Sequence, residues 1–201
     1  MILPKLVWGK HPIRVFREYT YVQIVSPQRL CDHKVAETFG IFGILTKKET
    51  MSKDTHVNRE QLVKLLNEDL SREFQAIIAY VVYSQTMKGA AYNHIAGELE
   101  LHAAEELSHA LLIAKQIDYL NGTPTTTPKE VKMSDKAEDM LRFDLDNERE
   151  TIRNYRQRIK QADALSEFAL GEVLRKIIAQ EQDHLVDLAD ALGVDAPKIE
   201  D

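Results

Sequence analysis

Two stretches of this chain carry the same acidic signature. Glu73 is followed 33 positions later by Glu106, with His109 three residues beyond; Glu148 is followed at the same distance by Glu181, with His184 three residues beyond. The set is four carboxylates and two imidazoles, a mixed oxygen and nitrogen donor set of the kind first-row metal ions take. Within each half, the Glu and the His three residues on lie on one helix face, where they can ligate together. Of seven histidines, only His109 and His184 have a Glu at that offset. The duplicated pattern is what a helical bundle needs to hold two metal ions.

The elements that must position these residues are helices. Asn58 with Gln61 forms a capping-box signature ahead of an apolar period. A first helix is expected to run from there to about Lys88 and to break at Gly89. A second continues to about Leu120 and stops at Asn121-Gly122. The Pro- and Thr-rich segment TPTTTPKEVKM reads as extended. Ser134 or Asp135 is expected to cap a third helix ending near Gln161. After a turn around Asp163 to Ser166, a fourth runs to about Leu192, before Gly193.

Heights and faces then agree. The midpoint between Glu73 and Glu106 falls at the first predicted turn, Gly89-Ala90, and that between Glu148 and Glu181 at Ala164-Leu165. Residues equidistant from the turn of an antiparallel hairpin share a level, here roughly 24 Å from the turn at about 1.5 Å per residue. The predicted inward stripes are apolar apart from the ligands and a few flanking polar side chains, as in Leu66, Leu70, Glu73, Ile77 and Tyr80. The others run Leu99, His102, Glu106, His109, Ile113, Leu120; Leu141, Leu145, Glu148, Ile152, Tyr155, Ile159; and Leu170, Leu174, Ile177, Glu181, His184, Leu188. Four carboxylates buried at one level cost several kcal/mol each without compensating charge, and two divalent cations supply it. Iron or manganese suits this donor set, and zinc can occupy it; iron is favoured because paired ions share the electrons given to O2 or peroxide.

Flanking residues carry two readings each. Tyr80 and Tyr155 stand seven residues after a ligand, where they either hydrogen-bond a carboxylate or supply an electron, or simply pack. His102 is either a partner orienting a ligand or a core histidine. Glu98, Glu100 and Glu105 either guide cations inward or form a solvated face.

Composition bounds the rest. The chain has 201 residues, 44% apolar and 29% charged, enough for one well-buried domain. No apolar run approaches the roughly 20 residues of a membrane span. The single Cys31 rules out an intramolecular disulfide and suits a reducing, cytoplasmic setting. Residues 1–50 carry eight Lys/Arg against four Asp/Glu, while the remainder carries 18 against 28. An acidic body attracts cations and repels nucleic acid. The basic segment 1–50 lacks helical period and is read as an N-terminal extension outside the fold, with MSKDTHVNREQLVKLL from Met51 resembling a natural start. The working domain is then 51–201.

Taken together, LLNEDLSREFQAIIAY, AEELSHA, IDYLNGTP, MLRFDLDNE and EQDH resemble the ferritin-like di-iron carboxylate proteins, most closely the bacterioferritin branch, over about residues 60–193. That resemblance implies an all-α, ferritin-like four-helix bundle with a long crossover between the second and third helices. Residues 122–134 could span it, reaching about 43 Å at about 3.3 Å per residue. It implies Glu73 and Glu148 as terminal iron ligands, Glu106 and Glu181 as bridges, and His109 and His184 as nitrogen ligands, with Tyr80 beside them. Two irons per chain, Fe(II) as substrate, O2 or H2O2 as oxidant and a homo-oligomeric shell follow from it. Two departures stand out. Haem-binding bacterioferritins place Met after the first bridging Glu, where this chain has Leu107, so haem is not expected. The short tail after His184, ending APKIED, lacks the fifth helix of a 24-subunit cage and leaves a twelve-subunit Dps-like shell as an alternative. The expected function is a ferroxidase. A rubrerythrin-like peroxide reductase and a di-iron oxygenase share the ligand set, and a Dps-like DNA protector ranks below them.

Overall fold

The computed structural model describes residues 56–200, so the expectation about residues 1–50 lies outside the described residues. These form four α-helices, α1 (Arg59–Thr86), α2 (Asn93–Tyr119), α3 (Ala137–Ala164) and α4 (Phe168–Leu192), with a 3-10 turn at Ala90–Tyr92 and no strand. The all-α, four-helix expectation holds.

Local chemistry sets most of the boundaries. Asn58 and Gln61 close a reciprocal capping box, each side chain accepting the other's backbone N–H at 2.8 Å. Beyond α1, Gly89 takes φ 118, a conformation that side chains with a Cβ rarely adopt, and turns the chain into α2. α4 closes on Gly193 in the left-handed region, with Val194 N–H donating to Ala189 O at 3.0 Å. The start of α3 departs from expectation. Ser134 accepts the Lys136 N–H two residues on and donates to Asp139, so neither it nor Asp135 caps the helix. That local turn delays the helix to Ala137, where Glu138 and Asp139 favour the positive end of the helix dipole. At its other end α3 continues through Ala164, beyond the expected stop.

α1 pairs with α2 and α3 with α4, while α1 also packs on α3 and α2 on α4. Between Tyr119 and Ala137 the chain runs extended along α1. Thr125 N–H donates to Asn67 at 2.6 Å, Lys129 N–H to Ser71 O at 2.9 Å, the Gln75 amide to Glu130 O, and the Tyr83 hydroxyl to Lys132 O. The connection thus travels in the direction of α1 and delivers α3 to the opposite end of the bundle. Its backbone groups, which a helix or sheet would otherwise satisfy, find partners on α1.

The core comes in two apolar layers. One contains Leu62, Leu66, Leu70, Ile113, Ile117, Leu174 and Ile177, and the other Tyr83, Ile95, Leu99, Met140, Leu141 and Leu188. The predicted stripes face inward, with Ile77, Leu145 and Ile159 only half-buried. Between the layers lies a polar level.

Candidate metal centre

All six sequence-predicted ligands meet at that level. Glu73, Glu106, His109, Glu148, Glu181 and His184 are each at most 3% exposed. Their donor atoms form two groups, Glu73–Glu106–His109–Glu181 and Glu106–Glu148–Glu181–His184, each with atoms within 4.8 Å of one another. Glu106 and Glu181 belong to both.

Spacings inside the groups suit ligands converging on an ion. His109 Nδ1 lies 3.1 Å from Glu106, 3.2 Å from Glu181 and 3.5 Å from Glu73. His184 Nδ1 lies 3.0 Å from Glu106 and 3.4 Å from Glu181. Donors around an ion bound at about 2.1 Å stand roughly 3–4.2 Å apart. Several of these atoms, including Glu73 Oε2, Glu106 Oε1, both oxygens of Glu181 and His184 Nδ1, have no aligned hydrogen-bond partner despite the short approaches. Buried oxygen and nitrogen atoms left unpaired at one point are costly unless a cation satisfies them. The residues present therefore fit a pair of divalent metal ions.

The remaining faces of the ligands are held by partners from across the bundle. Tyr80 on α1 donates its hydroxyl to Glu148 on α3, and Tyr155 on α3 donates to Glu73 on α1. His109 Nε2 sits 3.0 Å from Gln180 Oε1 on α4, and His184 Nε2 sits 2.8 Å from Glu105 on α2. Gln180 Nε2 donates in turn to Glu105 at 3.1 Å. This chain fixes the ring orientation of both histidines and points each Nδ1 at the carboxylates. Glu105 therefore serves as more than a solvated acid. Gln180 escaped the sequence reading; its signal is its place immediately before Glu181, matching Glu105 before Glu106. His102 stacks on His184 with ring centroids 4.0 Å apart and reaches Asp187 at 3.2 Å, so it leans on a candidate ligand without belonging to either group.

Protonation follows from burial and mutual repulsion. Burial, then the charges of Glu106 and Glu181, lift Glu73 well above the usual carboxylate range. Burial, then Glu181 and Glu106, do the same to Glu148. Glu106 goes the other way: burial pushes it up, but hydrogen bonds from His109 and His184 hold it below the ordinary range. Burial alone would lower His184, yet Glu106 and Glu181 raise it to about 12, and His109 is raised in the same manner. The cluster therefore gathers protons where cations would otherwise balance its charge. Imidazoles must shed such protons to ligate a metal.

Two further carboxylates lie buried one turn before Glu73 and Glu148. Asp69 pairs with Arg158 at 2.8 Å, and burial still lifts it to about 6 against the pull of that guanidinium. Asp144 is raised by burial and by Glu106, and its Oδ2 has no hydrogen-bond partner.

Known proteins share this architecture. The ferritin-like domain model matches residues 63–196. A ferritin-like di-iron carboxylate protein from Bacillus anthracis superposes with a TM-score of 0.64 at 36% identity, covering 71% of this chain and 99% of that one. A dodecameric thioferritin, the bacterioferritin-related protein of Bacteroides fragilis, superposes at 0.63 with 28% identity, covering 68% of this chain and 87% of its own. Bacterioferritin from Desulfovibrio desulfuricans is 29% identical over 133 residues, 64% of this chain and 74% of that protein.

Proposed function

This chain belongs to the ferritin-like domain family, and on that premise we propose that it is a ferroxidase that oxidises Fe(II) for storage and detoxification. The observation that carries this reading is the sharing of Glu106 and Glu181 between two buried donor groups, several of whose oxygens lack hydrogen-bond partners. In this reading Glu73 and His109 would hold one metal ion and Glu148 and His184 the other, with Glu106 and Glu181 contributing to both. Four carboxylates balance the charge of two Fe(II) ions. When bound, the iron pair supplies the electrons that reduce O2 or H2O2.

The protein's own residues do the rest. Tyr80 and Tyr155 hold Glu148 and Glu73 in place and present hydroxyls beside the reacting centre. Glu105 and Gln180 keep both imidazoles turned inward, and the apolar layers on either side keep bulk water from the centre. Incoming cations displace the protons carried by His109 and His184.

A polar cleft between α2 and α4, lined by Glu105, Gln180, Asp183 and Asp187 among others, reaches His184. Its lining suits a hydrated cation and offers an organic substrate little apolar surface, which favours the ferroxidase over an oxygenase. A homo-oligomeric shell that retains the ferric product, with two irons per chain at the oxidation centre, completes the proposal. The dodecameric Bacteroides fragilis protein offers a precedent for such an assembly. The test combines native mass with iron loading. A hollow oligomer retaining hundreds of irons is the expected result; a dimer keeping two irons per chain while turning over peroxide would defeat storage. The double change Glu106→Ala with Glu181→Ala should abolish rapid Fe(II) oxidation, and an unchanged rate would remove these residues from the mechanism.

A further inference from the structure

A second cluster of donor groups stands apart from the six. Glu98 and His102 on α2 and Asp187 on α4 each place one donor atom within 4.8 Å of the others. His102 Nε2 lies 3.2 Å from Asp187 Oδ2. The imidazole is only 3% exposed, and its Nδ1 has no hydrogen-bond partner. Glu98 makes no closer ion pair than a 3.9 Å approach to the exposed His94. The three residues line the α2–α4 cleft, of about 210 Å³, whose wall also includes Glu105 and His184.

The duplicated architecture provides an internal control. In the register that places Glu106 on Glu181 and His109 on His184, His102 corresponds to Ile177, Glu98 to Val173 and Asp187 to Leu112. Ile177 is fully buried and belongs to the apolar core. Packing at these positions is thus met elsewhere in the same bundle by hydrocarbon alone. Burying an imidazole in place of an aliphatic side chain is unfavourable unless a partner repays it. Each of the three polar residues thus faces an apolar counterpart in the other half, and all three come together at the one α2–α4 cleft.

We propose that Glu98, His102 and Asp187 form a third divalent-cation site, at which a cation is staged in the cleft before moving inward past His184. Two carboxylates with one imidazole neutralise a divalent charge and favour Fe(II), Zn(II) or Mn(II) over Mg(II) or Ca(II), which prefer all-oxygen ligation. Donors bound at about 2.1 Å stand roughly 3–4.2 Å apart, so the cluster closes on an ion with movements under about 1 Å. The stacking of His102 on His184 at 4.0 Å places this site next to the two-ion centre. The staging role rests on the ferroxidase reading, whereas cation binding at these three residues does not.

Zn(II), which has no redox chemistry, is the probe, applied to the full chain after chelator stripping. Wild-type protein is expected to bind three Zn(II) per chain by native mass spectrometry, with an anomalous diffraction peak within ligand distance of His102. The pair Glu98→Gln with Asp187→Asn, both on partly exposed side chains, should lower this to two and erase only the cleft peak. Conversely, Glu106→Ala with Glu181→Ala should keep the cleft peak while losing the inner pair, so failure of the two-ion reading is separable from failure of this one. No zinc beside His102, or three zinc ions retained in Glu98→Gln/Asp187→Asn, would overturn the site. With Fe(II) below saturation, that variant should take up iron about tenfold more slowly, the scale on which a charged cleft concentrates its ligand. An unchanged uptake rate would overturn the staging role.

Discussion

The two halves of the bundle, α1–α2 and α3–α4, match at the metal level and differ in the polar residues that flank it. At the centre, Glu73, Tyr80, Glu106 and His109 find counterparts in Glu148, Tyr155, Glu181 and His184, and each tyrosine crosses to the other half, Tyr80 to Glu148 and Tyr155 to Glu73. Even the buried Asp69 has its mate in Asp144. Around the centre the apolar positions still pair, as Leu66 does with Leu141 and Ile77 with Ile152, but several polar ones do not: Arg158 corresponds to Tyr83, His102 to Ile177 and Glu105 to Gln180. What repeats is the part that would touch both ions. One end is closed by the Asp69–Arg158 ion pair, and the other faces the cleft that holds His102 and Asp187. A shared centre with unlike flanks fits a site that handles two equivalent ions but loads them from one side.

The comparison breaks most visibly at the shared glutamates. Because each belongs to both donor groups, Glu106→Ala and Glu181→Ala alone should each slow Fe(II) oxidation by more than about a hundredfold and to the same degree, exceeding the roughly 10–100-fold seen when only an orienting partner is lost. Stopped-flow absorbance of the ferric product checks this, and a large effect from one substitution only would end the equivalence. Next in size is a stability difference between the unlike ends. Arg158→Leu leaves Asp69 buried without its cation and should cost about 3–5 kcal/mol in urea unfolding, while Tyr83→Phe, which loses only a neutral hydrogen bond, should cost about 1 kcal/mol. Arg158 holds down an Asp69 carboxyl that sits at about 6, so its removal raises that value further. The Arg158→Leu deficit should then be full above that raised value, shrink as pH falls toward 6 while only the variant's Asp69 takes up a proton, and level off below about 6, where Asp69 is protonated in both proteins.

Smaller effects sharpen the symmetry. Tyr80→Phe and Tyr155→Phe should each weaken metal binding about tenfold, and equally, as read by calorimetry with Zn(II). Glu105→Ala should weaken the ion beside His184 more than Gln180→Ala weakens the one beside His109, because a hydrogen bond to a charged group is the stronger by about a factor of two. The gentlest test is pH. His184 is lifted from its usual 6.5 to about 12 before a cation binds. That shift stabilises the metal-free fold fully below 6.5 and is lost only as pH climbs toward 12, whereas metal affinity moves oppositely and should fall as pH is lowered. Proton release into a weakly buffered solution on adding Zn(II) reads this directly.

Much of this was legible in the residues because a helix converts spacing into face and height. Glu73 and Glu106 lie equally far from the Gly89 turn, and Asn58 with Gln61 announces the start of α1, so neither needs knowledge of the other helices. Contacts between hairpins are different. That Gln180 would receive His109, or that Arg158 would reach Asp69, depends on how α1–α2 sits against α3–α4, which no periodicity within one helix encodes. The start of α3 differs from the expected one for a local reason: the Ser134 hydroxyl can either cap a helix or close a turn, and its turn to Lys136 competes with capping. His102 looked ambiguous on its stripe, and only its neighbours Asp187 and His184 give it chemical company.

The central claim is that one buried level holds two metal ions through the same pair of glutamates. Anomalous diffraction from crystals of the intact protein, soaked anaerobically with Fe(II), tests it most directly. Two peaks about 3.5–4 Å apart, each touched by Glu106 and Glu181 and each with its own histidine, are predicted. A single peak at that level, or two peaks sharing neither glutamate, would contradict it.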